Sequence, residues 1–269
     1  RTIVHTKQPS KAQTLTDAAD RFRQDLRQLF PFVRDGDLHL YTANDSDHLL
    51  ALSESLSLST PPSWAFGVCW PGRRVIILRL DASPETVRRT LLHEIVHLEF
   101  GAGLSRAQTP LWFSEGVAQL LERGLDAKRP PLTKQQRGWG RAIALTELTD
   151  RFPHWGAKAE RAYAQSEAMV WFLYDERGRA NFIEFLSALH RPETRFDTAF
   201  EQSYGYTVQE FEGRFLEKSQ FARWWHELFR DSTLLGFAGL LLIVAAVRNR
   251  RKQRIQLARL RDIEELEQE

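Results

Sequence analysis

The sequence predicts an α+β protein with a small sheet in its N-terminal part, a helical C-terminal part and a single transmembrane helix after it. Three observations lead to this fold class. Two short segments rich in β-branched and aromatic residues flank a Pro-Gly turn, as in a β-hairpin. Apolar residues recur at helical spacing through most of the chain that follows. Near the C-terminus, an uncharged apolar run is bordered by aromatic and basic side chains.

The first 80 residues contain the predicted sheet. Residues 15–30 carry apolar side chains at helical spacing, and the Asp-Gly-Asp sequence at 35–37 indicates a turn. Residues 38–41 alternate like a strand, and a short helix is predicted near residues 45–56. The hairpin strands are residues 64–70 and 74–80, joined at the Pro-Gly turn.

The helical part begins at Ser83. A serine N-cap, a proline at the first helical position and an acid in the first turn all favour a helix start there. The Gly-Ala-Gly sequence at 101–103 predicts its end near residue 100. A second helix is predicted from Pro110 to about residue 122, and the basic, proline-containing residues 123–136 indicate a loop. Further helices are predicted at residues 161–176, 181–190 and 207–215.

The helix that starts after Ser83 carries the sequence His-Glu-Ile-Val-His at residues 93–97. His93 and His97 are four residues apart and project from one helix face, so both imidazoles can reach one metal ion. Glu94 is rotated from His93 by roughly 100°, which lets it reach a water beside the metal without being a ligand. The surrounding turn is apolar, and these polar groups are costly there unless a divalent cation satisfies them. A chance match on a partly buried helix is the alternative.

A third ligand is expected, because catalytic zinc takes three protein ligands and keeps one position open. Glu115 in the next predicted helix is the candidate, and a solvated helix residue is the alternative. Gly116 follows it at a cost of about 1 kcal/mol relative to alanine, which close approach of the metal-bearing helix would explain. Cys69 is the single cysteine, so neither an intrachain disulfide nor a cysteine-based metal site is possible. Zn²⁺ is therefore the expected cofactor, although Co²⁺ or Mn²⁺ could occupy such a site in vitro.

The motif HEIVH, followed after a short gap by PLWFSEGVAQ, resembles the gluzincin zinc peptidases, and among them the group called peptidase MA-like. The stretch RAYAQS at residues 161–166 resembles the helix that closes the site in that family. The resemblance covers roughly residues 38–215. It implies a zincin-like metallopeptidase domain that hydrolyses peptide bonds of a peptide or protein substrate, as an endopeptidase or an aminopeptidase.

The resemblance also implies roles for individual residues. His93, His97 and Glu115 correspond to the zinc ligands, and Glu94 corresponds to the general base. Tyr163 corresponds to a donor that hydrogen-bonds the oxyanion, with an ordinary core or rim tyrosine as the alternative.

One position departs from the family pattern. Gluzincins often have an acid four residues after the glutamate ligand, which orients a ligand histidine, and here that position is Gln119. Its amide oxygen can still accept an imidazole N–H, but it is a weaker partner than a carboxylate. This departure leaves open a zinc-binding interaction protein that has lost turnover, although the intact Glu94 argues against it. A third alternative is a membrane-tethered assembly or chaperone factor whose metal only stabilises the fold.

A transmembrane helix is predicted at residues 232–248. Residues 234–247 contain no charge, although the segment is somewhat shorter than the ~20 residues of a typical span. A buried hairpin or core helix is the alternative. The segment is flanked by aromatic residues before it and basic residues after it: Trp224, Trp225 and Phe229, then Arg248, Arg250, Arg251, Lys252 and Arg254. The positive-inside rule then predicts a cytoplasmic tail and an extracytoplasmic peptidase domain, periplasmic if the protein is bacterial.

Composition constrains the partners. A formal net charge of +2 gives no reason to propose nucleic acid as a partner, so the expected partners are a substrate and the membrane. The chain begins at Arg1 without an apolar targeting segment, and we expect an export signal to have been removed or trimmed. The expected organisation is an N-terminal helical segment (1–34), the peptidase domain (35–217), a juxtamembrane segment (218–231), the transmembrane helix (232–248) and a charged tail (249–269).

Overall fold

Four strands form a mixed sheet in the computed structural model, which describes residues 1–33, 36–127, 142–153 and 156–217. The strands are β1 (Thr2–His5), β2 (Leu38–Ala43), β3 (Gly67–Trp70) and β4 (Val75–Arg79), in the order β1-β2-β4-β3. β1 and β4 are parallel to β2, and β3 is antiparallel to β4. Among the described residues, β3 is therefore an edge strand of the sheet.

The predicted hairpin is confirmed. Val68 pairs with Ile77 and Trp70 with Val75, so the two strands are in antiparallel register. The turn between them is a single 3₁₀ turn at Pro71–Arg73, and Arg74 follows in the left-handed conformation with φ of 50°. The first hairpin strand begins only at Gly67, later than predicted.

The sequence did not predict β1. Its four residues lie parallel to β2, with Thr2 opposite Leu38 and His5 opposite Tyr41. Within the first 34 residues the expected helix is also present, as α1 (Pro9–Leu29). A strand of this length carries too little periodicity to be recognised without its partner.

The remaining helices form most of the body of the protein. Their bounds are α2 (Ser46–Ser55), α3 (Pro84–Arg106), α4 (Leu111–Arg123), α5 (Leu145–Thr149), α6 (Gly156–Ala188) and α7 (Phe196–Tyr204), and residues 208–217 are also helical. α7 was not predicted. α6 unites two predicted helices, with a break at Gly178, where φ is 77°.

The helix α3 starts where predicted but does not end near residue 100. Ser83 caps it by accepting a hydrogen bond from the Thr86 N–H, and the helix continues to Arg106. Gly103 lies inside it because a Cβ there would overlap the ring of His190. That ring cannot easily give way, since it stacks on Phe32 with centroids 3.4 Å apart. The glycine pattern thus marks a close contact between elements and not a helix end.

A buried ion pair holds α1 against α3. The Arg23 side chain is fully buried, and its Nε donates to Glu99 Oε1 at 2.8 Å. Arg74, at the end of the hairpin turn, reaches the same oxygen through Nη2 at 3.0 Å. A buried charge is costly unless it is paired, so these contacts fix the hairpin and α1 relative to the turn of α3 that follows His97.

Residues Arg1–Leu216 form one compact unit, and the rest of the chain is grouped separately. Within the described ranges, no helix has the length and apolar character needed to cross a membrane. The predicted transmembrane helix at 232–248 and the charged tail lie outside the described residues.

Candidate metal centre

Two packed helices bring the predicted ligands together. On α3, His93 and His97 are one turn apart and share a helix face, as the i, i+4 spacing requires. Four residues before His93, Arg89 extends the same row by one more turn. α4 packs against α3 and contributes Glu115. The sequence prediction that these three side chains meet is consistent with this arrangement.

The ligand atoms converge at spacings that suit a metal ion. His93 Nε2 and His97 Nε2 are 3.0 Å apart, and Glu115 Oε2 lies 3.3 Å from the first and 3.6 Å from the second. Two ligands of a tetrahedral zinc ion, each at ~2.0–2.1 Å, are separated by about 3.3 Å. The observed separations lie around that value. Among the described residues, these three are the set of histidine, cysteine and acidic side chains whose ligand atoms fall within 4.8 Å of one another.

The charges around these side chains suit a bound cation. Within the described part of the chain, Glu115 Oε2 is buried and has no hydrogen-bond partner of acceptable geometry. Burial alone would raise the pKa of Glu115, but the adjacent His97 and His93 lower it. Burial alone would lower the pKa of His93, yet Glu115 and Glu122 raise it to about 10. The pocket therefore favours positive charge beside its carboxylates, which a bound divalent cation would supply.

Glu94 lies beside the three ligand atoms but is not one of them. Its side chain packs against β3, where a Cβ added to Gly67 would stand 3.0 Å from Glu94 Cγ. The backbone of Cys69 hydrogen-bonds its carboxylate. Burial raises the pKa of Glu94 above its ordinary value, and the neighbouring Glu115 adds to the increase. A raised carboxyl pKa suits a group that must both accept and return a proton near neutral pH.

Tyr163 on α6 lines the same cavity as the three ligands and Glu94. Burial raises the pKa of its hydroxyl, and the charges of Glu115 and Glu94 raise it further. Its hydroxyl therefore stays protonated and can act as a donor. Gly116 explains how α6 comes so close, since a Cβ there would overlap the backbone of Ser166. Gly116 thus accommodates α6 and not α3, the helix for which the sequence analysis predicts the close approach.

Gln119 does not hydrogen-bond a ligand histidine, which is the contact that the family pattern predicts for its position. Its amide nitrogen donates to the Tyr163 carbonyl at 3.0 Å and lies 3.4 Å from the Glu115 carbonyl. His93 Nδ1 instead faces Glu122, with Oε2 at 3.3 Å. The sequence analysis missed Glu122. It lies seven residues after Glu115, a helical spacing that returns to the same face of α4 and could have identified it.

The site opens into a cavity of about 600 Å³, which the ligands, Glu94 and Tyr163 line. Trp64 and Phe66 stand at its rim, just before the edge strand β3. Their exposed fractions are 41% and 44%, and among the described residues they are the large apolar side chains most open to solvent. The guanidinium of Arg79 covers one face of Phe66 at 4.8 Å from the ring centroid. The candidate metal ligands and the strand β3 therefore border the same cavity.

Fold and site together define a mixed α/β protein with a small sheet, a mostly helical body and a candidate His/Glu metal centre in an open cavity. A family model described as the Peptidase MA superfamily matches residues 37–218. The match spans more than half of the chain, so the protein belongs to the Peptidase MA superfamily. Membership indicates a peptidase-like hydrolase acting on peptides or proteins. A search of curated proteins finds no match.

Proposed function

We propose that the protein is a zinc-dependent peptidase of the gluzincin type, with His93, His97 and Glu115 as ligands. The observation that carries this proposal is the convergence of two imidazole nitrogens and one carboxylate oxygen within 4.8 Å. Two nitrogens and one oxygen match a His₂Glu catalytic zinc site, which leaves one position open. Membership of the Peptidase MA superfamily supports the same assignment.

Glu94 and Tyr163 have different roles in the proposed reaction. When bound, zinc supplies Lewis-acid polarisation of a carbonyl and the activation of water near neutral pH. Glu94 takes the proton of the attacking water and returns it to the leaving amine, for which its raised pKa suits it. Tyr163 donates a hydrogen bond to the substrate oxygen that gains negative charge, since its hydroxyl stays protonated.

The substrate in this proposal is a peptide that lies beside β3. An edge strand offers unpaired backbone groups to an extended peptide, and β3 borders the cavity. Trp64 and Phe66 then provide an apolar contact for a substrate side chain near the scissile bond. Digestion of a random peptide library would show this as enrichment of large apolar residues at one subsite. Cleavage without any such enrichment would count against the aromatic contact.

An inactive zinc-binding interaction or assembly protein was the alternative suggested by Gln119. That argument assumed that His93 lacks a carboxylate partner, and Glu122 is such a partner. With Glu94 also present in the cavity, catalysis is the better-supported proposal.

A direct test uses the purified full-length protein. We expect about one zinc per chain, as for a catalytic site with three protein ligands, and hydrolysis of unstructured peptides. A chelator should remove the zinc and abolish hydrolysis, and added zinc should restore hydrolysis, because the proposed mechanism depends on the bound ion. Metal content can be measured by atomic emission and hydrolysis by mass spectrometry of the peptide products. Hydrolysis that survives complete zinc removal would exclude the mechanism.

We also propose that residues 232–248 anchor the protein in a membrane, with an extracytoplasmic peptidase domain, periplasmic in a bacterium, and a cytoplasmic tail. The support is the apolar run and its basic flank in the sequence. The full-length protein should then stay with membranes in alkaline carbonate, and a reporter fused after Glu269 should be cytoplasmic. Release by carbonate alone would rule out a spanning helix.

A further inference from the structure

We infer that Glu122, held in place by Arg89, is the positioning residue that orients His93 for metal binding. This inference rests on the proposed zinc site. It assigns to Glu122 the role that the sequence pattern would have placed at position 119.

The two nitrogens of His93 face different partners. Nε2 points to the ligand cluster, 3.0 Å from His97 Nε2, whereas Nδ1 lies 3.3 Å from Glu122 Oε2. An ionised carboxylate can only accept hydrogen bonds, so the imidazole must present its N–H at Nδ1. That tautomer leaves the lone pair of Nε2 free for a metal ion.

Glu122 is itself rigidly held. Its side chain is only 5% exposed. Arg89 Nε donates to Glu122 Oε1 at 3.1 Å, and Arg89 Nη2 donates to the same oxygen. One carboxylate oxygen is thereby engaged by Arg89, and the other is left to face His93.

Both side chains that contact Glu122 belong to α3. Arg89 lies one turn before His93 on α3, so both partners of Glu122 come from the same face of one helix. Arg89 holds the Glu122 carboxylate, and Glu122 in turn holds the ring of His93. Gln119 does not take this role, because His93 Nδ1 faces Glu122 and the Gln119 amide nitrogen is directed to the Tyr163 carbonyl on α6.

A nearby acid provides a matched control. Glu167 on α6 is 6% exposed and pairs with Arg123 Nε at 2.7 Å, so its burial and its type of partner match those of Glu122. Its pairing is with an arginine of α4 and not with a ligand histidine. Removing either carboxylate costs one ion pair between a buried acid and a partly exposed arginine, but only Glu122 contacts a proposed ligand.

The experiment compares zinc affinity in wild type, Glu122→Gln and Glu167→Gln, all full-length, by competition with a chromophoric chelator. The Glu122→Gln variant should bind zinc ~10–100-fold more weakly, the usual cost of losing the outer partner of a ligand histidine. The Glu167→Gln variant should bind zinc as wild type does. Thermal unfolding of the metal-free proteins measures the structural cost of each change separately.

Arg89→Gln provides a second test that does not depend on Glu122→Gln folding. The Arg89 side chain is 43% exposed, so its replacement should be tolerated, and it should weaken zinc binding less than Glu122→Gln because the carboxylate remains. Equal zinc affinity in Glu122→Gln and Glu167→Gln, or unchanged affinity in Arg89→Gln when Glu122→Gln does not fold, would overturn the inference while leaving the zinc site intact. A wild type that binds no zinc would instead overturn the proposed function.

Discussion

A Glu94→Gln variant is expected to bind zinc as wild type does while its peptide hydrolysis falls by ~10²–10⁴-fold, the usual value of general-base assistance. Glutamine keeps the shape of the side chain and can hydrogen-bond a water, but it cannot take a proton. The three converging ligand atoms belong to other residues, so the metal should be retained. Zinc content and kcat on one defined peptide, measured on the same preparation, test both halves of the expectation.

A Tyr163→Phe variant should lose less activity than Glu94→Gln, and the two can be compared on the same peptide. It removes one donor to the oxyanion and should cost on the order of 10²-fold, mainly in kcat, because that bond strengthens as charge develops. The aromatic ring and its packing on Phe152 remain, so the fold should be preserved. If Glu94→Gln cleaved as fast as wild type, the peptidase mechanism would be wrong and a non-catalytic zinc protein would take its place.

Glu115→Ala is expected to lose most of its zinc and, with it, essentially all hydrolysis. The change removes the only carboxylate among the three ligands and leaves two imidazoles, fewer than the three protein ligands of a catalytic zinc site. His93→Ala should behave in the same way. Metal analysis after gel filtration, with circular dichroism to check the fold, distinguishes loss of the ion from loss of structure.

The matched control for the ligand variants is Glu147→Ala. Glu147 is an exposed acid on α5 that pairs with Lys158 at 2.8 Å, away from the ligand residues, so its removal should leave the zinc content unchanged. Full zinc retention in both Glu115→Ala and His93→Ala would mean that the ion, if any, is held elsewhere.

The local elements and the pairing of His93 with His97 on one helix face could be predicted from the sequence because they depend on short-range patterns. The serine cap and Pro84 define the start of α3, and the i, i+4 spacing alone brings His93 and His97 to one face. The hairpin followed from its turn residues and its β-branched strands. Glu115 lies near both histidines because the next helix, α4, packs against α3.

Only the tertiary structure decided which long-range neighbours each residue meets. β1 exists because β2 offers it a partner, and α3 continues through Gly103 because His190 fills the space that a side chain would need. For the same reason, Glu122 and not Gln119 lies beside His93. The rotation of α4 and the approach of α6 at Gly116 bring Gln119 to the Tyr163 carbonyl and Glu122 to His93. Sequence spacing determines which residues share a helix face, but the packing of one helix on another determines which of them touch.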